Sequence, residues 1–311
     1  TDGTVEKVKQ AGGALVGEIL DIPGVGRYAR VKDSEGNVIY DQGIPVDYVF
    51  GSGKHGQTYV TNRSGRLFES MISWYTENHQ WGLSPGYVPG FNARFERQAS
   101  DACLNCHAGR MAPHETFRNR FQEKQPFLEL ALGCERCHGP GGDHVALREK
   151  GALPAGTPDP IVNPGSFTDD RKDAVCNQCH LAGRLRVVSP GRSEFDFRPG
   201  MYLNDVWTTI IKTAGVESGR AAAVSQVEQM HVSQCYKKSG GQLSCIDCHD
   251  VHDSPKADQR DQFYRVRCLN CHGTEKDQHP CTEKADLRAA AGDSCIKCHM
   301  AQFPARDVHA A

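Results

Sequence analysis

Six times the 311-residue chain carries two cysteines separated by two residues, with a histidine directly after the second. The copies are Cys103-Cys106-His107, Cys134-Cys137-His138, Cys176-Cys179-His180, Cys245-Cys248-His249, Cys268-Cys271-His272 and Cys295-Cys298-His299. The covalent chemistry of this pentapeptide is attachment of a c-type haem. The two thiols add across the porphyrin vinyl groups, and the adjacent imidazole reaches the iron from one side. Iron held in this way is an electron-transfer or redox-catalytic centre whose axial ligands set its potential. Cysteine pairs also build zinc sites, but zinc needs two such pairs, or one pair and two spaced ligands, and no histidine fixed beside the second thiol. A thioredoxin-type redox site needs a single pair near a βαβ pattern. The repeated histidine decides for six haem c.

The second axial ligand separates carrier from catalyst, because two strong ligands give a low-spin iron and an open face admits substrate. Each motif histidine supplies one ligand, and eight further histidines stand outside the motifs: His55, His79, His114, His144, His231, His252, His279 and His309. Supply exceeds the demand of six irons. His252 follows motif histidine His249 by three residues, a spacing suited to serving a neighbouring haem. His144 follows a glycine-rich turn that lets the backbone double back near porphyrin. His55 in Gly-Ser-Gly-Lys-His-Gly and His309 near the chain end complete the stronger set. His231 is a candidate with two rivals, the thioether of Met230 and a plain role as a satisfied core histidine. His114 is a further candidate, while His79 and His279 read as loop histidines.

The elements that must position these groups divide the chain in two. Residues 1–100 read as a β-rich, haem-free part, and residues 101–311 as the hexahaem part packed with it as one unit. Ala14–Leu20, Tyr28–Lys32 and Val38–Tyr40 are strand-like, with a turn at Asp33–Asn37, and a hairpin is expected from Gln57–Thr61 through Asn62-Arg63-Ser64-Gly65 to Leu67–Tyr75. Beyond Asp101 the spacing of the motifs is uneven, which excludes a strict solenoid. The fold class expected is α+β with much irregular structure, its short helices and loops wrapped around porphyrins. Gly151–Ser166 reads as an extended loop over a haem or along the surface. One helix is expected from a Ser218 cap to Lys237-Lys238, with Val224, Val227, His231 and Cys235 on its apolar stripe. Another is expected at Lys284–Ala291, stopped by Gly292. Gly51–Gly56 matches a dinucleotide fingerprint, but strand formers follow it where a phosphate site needs a helix start.

Covalent haem attachment takes place outside the bacterial or archaeal cytoplasm, so a periplasmic or extracellular chain is expected, numbered from a point after signal-peptide removal. There the leftover thiols would oxidise, and a Cys235–Cys281 disulfide is the natural pairing, the alternative being two unrelated free cysteines. No apolar run approaches the length of a membrane span. The formal charge of −2 gives no basic footprint for nucleic acid. Each bis-histidine haem with ionised propionates adds −1 when ferric and −2 when ferrous, which takes the total to about −8 and about −14. Arg94, Arg97, Arg110, Arg118, Arg184, Arg186, Arg265 and Arg267 therefore stand either as propionate partners or as solvated surface.

Residues 134–144 (Cys-Glu-Arg-Cys-His-Gly-Pro-Gly-Gly-Asp-His), 245–252 (Cys-Ile-Asp-Cys-His-Asp-Val-His) and 295–300 (Cys-Ile-Lys-Cys-His-Met) resemble multihaem cytochromes related to the tetrahaem cytochrome c of ammonia oxidisers. Gly-Ser-Gly-Lys-His-Gly-Gln (51–57) and Ser-Pro-Gly-Tyr (84–87) are similar to larger bacterial relatives that carry tetratricopeptide repeats, so the resemblance covers most of residues 45–311. It implies electron transfer, mainly bis-histidine haems, and distal ligands at His55, His144 and His252. It also implies cysteines at the places of Cys235 and Cys281, in keeping with their pairing. The chain departs from the pattern in lacking the repeats, in having six motifs against four haems, and in carrying His231 where relatives often have the methionine alone.

Three functions are then open. The first is an extracytoplasmic hexahaem conduit that exchanges electrons with redox partner proteins or extracellular acceptors. The second is the same conduit as subunit of a homopolymeric filament, joined by head-to-tail contacts that do not close. The third is a nitrogen- or sulfur-compound oxidoreductase, which needs one five-coordinate haem beside an acid–base group. Ligand surplus favours the first two.

Overall fold

The computed structural model describes residues 2–22, 26–76, 78–87, 94–151, 154, 156–211, 225–273 and 281–300. It is α+β, and it divides into two compact units, Thr1–Gly133 and Cys134–Ala311. The first motif therefore belongs with the β-rich unit.

In the first unit, helix α1 (Asp2–Gln10) precedes a four-stranded antiparallel sheet of β1 (Ala14–Leu15), β2 (Leu20–Ile22), β3 (Gly26–Lys32) and β4 (Val38–Gly43). Strand β3 is central, paired with β1 and β2 on one side and β4 on the other. The expected strand Ala14–Leu20 is thus two short ones. Gly17 between them adopts a φ of 83°, a left-handed conformation that interrupts the ladder. Helix α1, which the sequence reading missed, closes this sheet by burying Val5 against Ala29 and Val31, with Val8, Leu15 and Ile19 around them.

A second antiparallel sheet runs in the order β5 (Tyr48–Phe50), β6 (Gly56–Arg63), β7 (Arg66–Tyr75), β8 (Gln80–Leu83). The β6–β7 hairpin is where the sequence puts it. Ser64 and Gly65 both have positive φ (51° and 82°), the arrangement that matches the twist of a two-residue hairpin. The Asn62 side chain accepts the Gly65 N–H at 2.9 Å. A Cβ on Gly65 would stand 2.2 Å from the Phe121 carbonyl oxygen, so this position needs glycine for space as well as conformation. The Gly51–Gly56 loop leads directly into β6 and not into a helix, as expected of a false dinucleotide fingerprint.

The second unit is a series of short helices: α3 (Glu135–His138), α4 (Gly142–Arg148), α5 (Asp169–His180), α6 (Gln226–Val232), α7 (Gln234–Lys238), α8 (Cys245–Cys248), α9 (Arg260–His272), α10 (Ala285–Ala290) and α11 (Cys295–His299). A two-stranded ribbon pairs Leu185–Val188 with Trp207–Ile210. Its apolar cluster is Ala174, Phe197, Val206 and Trp207, joined by Val188, Met201 and Leu203. Trp207 is fully buried, so Trp207→Ala is expected to cost the folded protein about 3–5 kcal/mol, read as a lowered thermal midpoint.

The single helix expected to run from Ser218 to Lys238 is broken. Residues 218–224 lie outside the described residues, and α6 begins at a Ser225 cap whose N–H and hydroxyl both donate to the Glu228 carboxylate (2.9 and 2.7 Å). Ser233 then ends α6 in extended conformation and caps α7, its hydroxyl accepting the Tyr236 N–H at 3.2 Å. A serine able to cap competes with helix continuation. His231 and Cys235 consequently sit on different helices. The second expected helix is present as α10.

Candidate functional site

Each motif lies on or against one turn of helix. The first is on α2 (Asp101–His107), which follows the second sheet. In α2 the Ser100 hydroxyl accepts the Cys103 N–H at 3.4 Å, and buried Leu104 anchors the helix. The Asp101 carboxylate accepts the Asn119 N–H at 3.0 Å, while the Asn119 side chain accepts the Asp101 N–H at 2.8 Å. The other motifs lie on α3 with Cys134 as its cap, on α5, on α8 with His249 as its cap, on α9 and on α11. Residues i, i+3 and i+4 share a helix face, so each such turn brings two thiols and an imidazole to one side. None of the twelve motif cysteines is in a disulfide, and all are half-buried or exposed, as a group that must bond covalently to a large ligand requires. Beside them Ile246, Val251, Val266, Leu269 and Met300 are exposed apolar side chains. Among the described residues no three His, Cys, Asp or Glu converge as a zinc site would need. This donor chemistry fits haem c: the paired thiols would hold the porphyrin, and each motif histidine would bind its iron.

Several imidazoles are oriented by a second hydrogen bond. His138 donates from Nδ1 to the Val162 carbonyl at 2.8 Å, since a carbonyl can only accept. His144 donates from Nδ1 to the Asp159 carboxylate at 2.6 Å, and Arg148 donates to the same carboxylate at 2.5 Å. His180 has Nδ1 at 3.3 Å from the Gln226 Oε1. A donor at Nδ1 leaves the Nε2 lone pair for a metal, which is how outer partners set a histidine ligand. Asp159 and Val162 both belong to the proline-rich loop at 151–166, so that loop orients a motif histidine and a distal candidate. The sequence names the loop but not these two atoms, because neither carries a pattern of its own.

The remaining candidates are placed as follows. His252 lies nearly parallel to His138, with 13° between planes and 5.9 Å between centroids. His231 packs on Tyr236 at 4.5 Å, on a helix that borders the third motif's α5. Its neighbour Met230 lies on the same helix. His55 sits in the loop between β5 and β6, where its carbonyl accepts the Thr76 N–H at 2.9 Å. His114 uses its Nδ1 lone pair to accept the Thr116 N–H at 3.1 Å, which puts the proton on Nε2 and makes it a poorer ligand than His144. His309 and His279 lie outside the described residues.

Thiols of different motifs are neighbours in the second unit. Cys176 and Cys245 are hydrogen-bonded, which pushes the Cys176 thiol up and holds Cys245 down. Burial, then the neighbouring Cys295, raises Cys268 to about 11, and these two thiols are also hydrogen-bonded. Cys137 lies within electrostatic reach of Cys176, and Cys271 within that of Cys248. Burial, with His180 nearby, holds His249 below the ordinary histidine value. Cys235 lies within electrostatic reach of Cys248 and Cys268, and both it and Cys281 are exposed free thiols. Among the arginines expected near propionates, Arg97 pairs with Glu69, Arg110 with Glu129 at 3.9 Å and Arg265 with Asp293 at 2.7 Å, while Arg186 lies 5.0 Å over the Trp207 ring and Arg267 5.2 Å over that of Phe263. No helix among the described residues is long and apolar enough to cross a membrane.

A family model for cytochrome c554 and c-prime matches residues 87–139, which include the first two motifs. Among curated proteins, Multiheme cytochrome MtrA of Shewanella baltica (strain OS185) is 22% identical over 247 residues, covering 69% of this chain and 70% of its own length. Among solved structures, outer cell wall cytochrome OcwA matches with a TM-score of 0.48 at 16% identity, over 89% of this chain. The chain spans 65% of that cytochrome's length. The motifs, the family match and the curated relative together support a multihaem c-type cytochrome with covalently bound haem.

Proposed function

We propose that this chain is an extracytoplasmic hexahaem cytochrome that moves electrons between closely spaced, mostly bis-histidine haems. The observation that carries this reading is contact between thiols of successive motifs, Cys176 with Cys245 and Cys268 with Cys295. Sulfurs that touch tie the edges of their two porphyrins to neighbouring points. Cys137 within electrostatic reach of Cys176, and Cys271 within that of Cys248, extend the series from the second motif to the sixth. When bound, haem c supplies reversible one-electron exchange between ferric and ferrous iron. The protein's part is to fix spacing and ligands: Val162, Asp159 and Gln226 orient imidazoles for metal binding. Thiol chemistry supports the compartment, because covalent attachment is an extracytoplasmic process.

The test is intact-mass analysis of the protein from its native host, beside a redox titration. Mass is expected to exceed that of the polypeptide by six haems, and the titration to show six one-electron steps. Fewer than six covalent haems, or a ferric haem that is high-spin and binds nitrite, would turn the reading toward a smaller carrier or an enzyme.

A further inference from the structure

We infer that His138 and His252 are the two axial ligands of one iron, that of the haem held by Cys134 and Cys137. This rests on the hexahaem reading and deepens it by assigning one complete site. The two rings are nearly parallel (13°), with centroids 5.9 Å apart. Two imidazoles on opposite sides of a metal stand with their ring centroids about 6.4 Å apart. That figure is the sum of two metal–nitrogen bonds of about 2.0–2.1 Å and, at each end, a ring radius of roughly 1.15 Å set by bonds near 1.33 Å. The observed 5.9 Å falls short of that by about 0.5 Å, a small movement for two side chains closing on one iron.

The local setting of the two residues supports the pairing. His138 gives its Nδ1 proton to the Val162 carbonyl at 2.8 Å, which reserves Nε2 for the iron. His252 is presented by a turn in which the Asp250 carboxylate accepts the N–H groups of His252 (3.0 Å) and Asp253 (3.3 Å). Three residues of chain reach at most about 10 Å, too short to carry His252 from His249 round a porphyrin edge to its opposite face. His252 must therefore serve another haem, and His138 is the motif histidine beside it. The iron then ties the 245–253 segment to the 134–139 segment, a link between stretches far apart in sequence.

The test uses the haem-loaded protein and electron paramagnetic resonance. Near-parallel imidazole planes give a rhombic low-spin ferric signal, and the wild type is expected to contain one assignable to this haem. In His252→Ala that signal is expected to vanish and high-spin ferric haem to appear, equal to one haem in six, with imidazole added to the buffer restoring the low-spin form. In a five-haem variant carrying Cys134→Ala and Cys137→Ala, the same rhombic signal is expected to be missing already, and His252→Ala should add no high-spin haem. A His252→Ala protein with six haems, all low-spin and unchanged, would overturn the pairing while leaving the hexahaem reading intact. So would high-spin haem produced by His252→Ala in the five-haem background. A wild type without haem on Cys134 and Cys137, found by peptide mass, would instead count against the hexahaem reading itself. Should the variants fail to mature, an experimental map of the native protein decides: continuous density from His138 through iron to His252 supports the pairing, and a different second ligand overturns it.

Discussion

Expressed without haem attachment, the chain is expected to keep the fold of residues 1–133 and lose that of residues 134–311. The first unit has two four-stranded sheets, with Val5, Ala29, Val31, Val60 and Leu67 buried in them. It needs no cofactor to assemble that core. The second unit has helices of four or five residues at α3, α8 and α11, and neither these nor the 13-residue α9 buries a single side chain. Isolated helices shorter than about 12–15 residues are marginal in water. Apart from the cluster at Trp207, apolar groups near the motifs, such as Val251, Val266 and Met300, are exposed. Porphyrin faces are what would cover them, so haem binding and folding are coupled, as metal binding and folding are in small metal-dependent domains. Limited proteolysis of the haem-free full chain should leave a resistant fragment ending near Gly133, and helical circular dichroism should fall to a small fraction of that of the loaded protein. A cooperative unfolding transition for residues 134–311 without haem would refute the coupling.

This dependence also explains what the sequence makes legible. The motifs are covalent signatures and are read without any knowledge of packing, so all twelve thiols and six histidines can be named from spacing alone. The β6–β7 hairpin is legible because Asn62-Arg63-Ser64-Gly65 has turn chemistry of its own. Helix α1 is hard to see, since only Val5 and Val8 mark its buried side. The break at Ser233 is hidden for a different reason: serine is found both inside helices and capping them, and the choice depends on the tertiary setting. His114 and His144 look alike in sequence, but one accepts a hydrogen bond at Nδ1 and the other donates one. That difference comes from Thr116 and Asp159, and no spacing rule finds Asp159 fifteen residues beyond its histidine.

Asp159→Asn is expected to raise the midpoint potential of the haem proposed to take His144 as a ligand, by about 60 mV for each tenfold loss of ferric preference. The carboxylate accepts from His144 at 2.6 Å and from Arg148 at 2.5 Å, and the hydrogen bond from His144 is the chief reason its pKa falls to about 2. A folded-state pKa below the ordinary value of about 3.9 means that the stabilisation is complete above that value and is lost as pH falls through about 2. From pH 4 upward the negative charge therefore stays on the imidazole's outer side. There it would make His144 a more basic ligand, which would favour ferric over ferrous iron. Asparagine can still accept the Nδ1 proton but carries no charge, so orientation is kept and basicity falls. Outer-partner substitutions of this kind typically change metal affinity roughly 10–100-fold. A potentiometric titration followed by low-spin resonance should show one of six steps moved upward, with the haem count unchanged. Asp159→Ala should move the same step and also loosen the ring, seen as a broadened signal. If neither variant moves any step, His144 is not an iron ligand, and the Asp159 pair serves only to hold the 151–166 loop against α4.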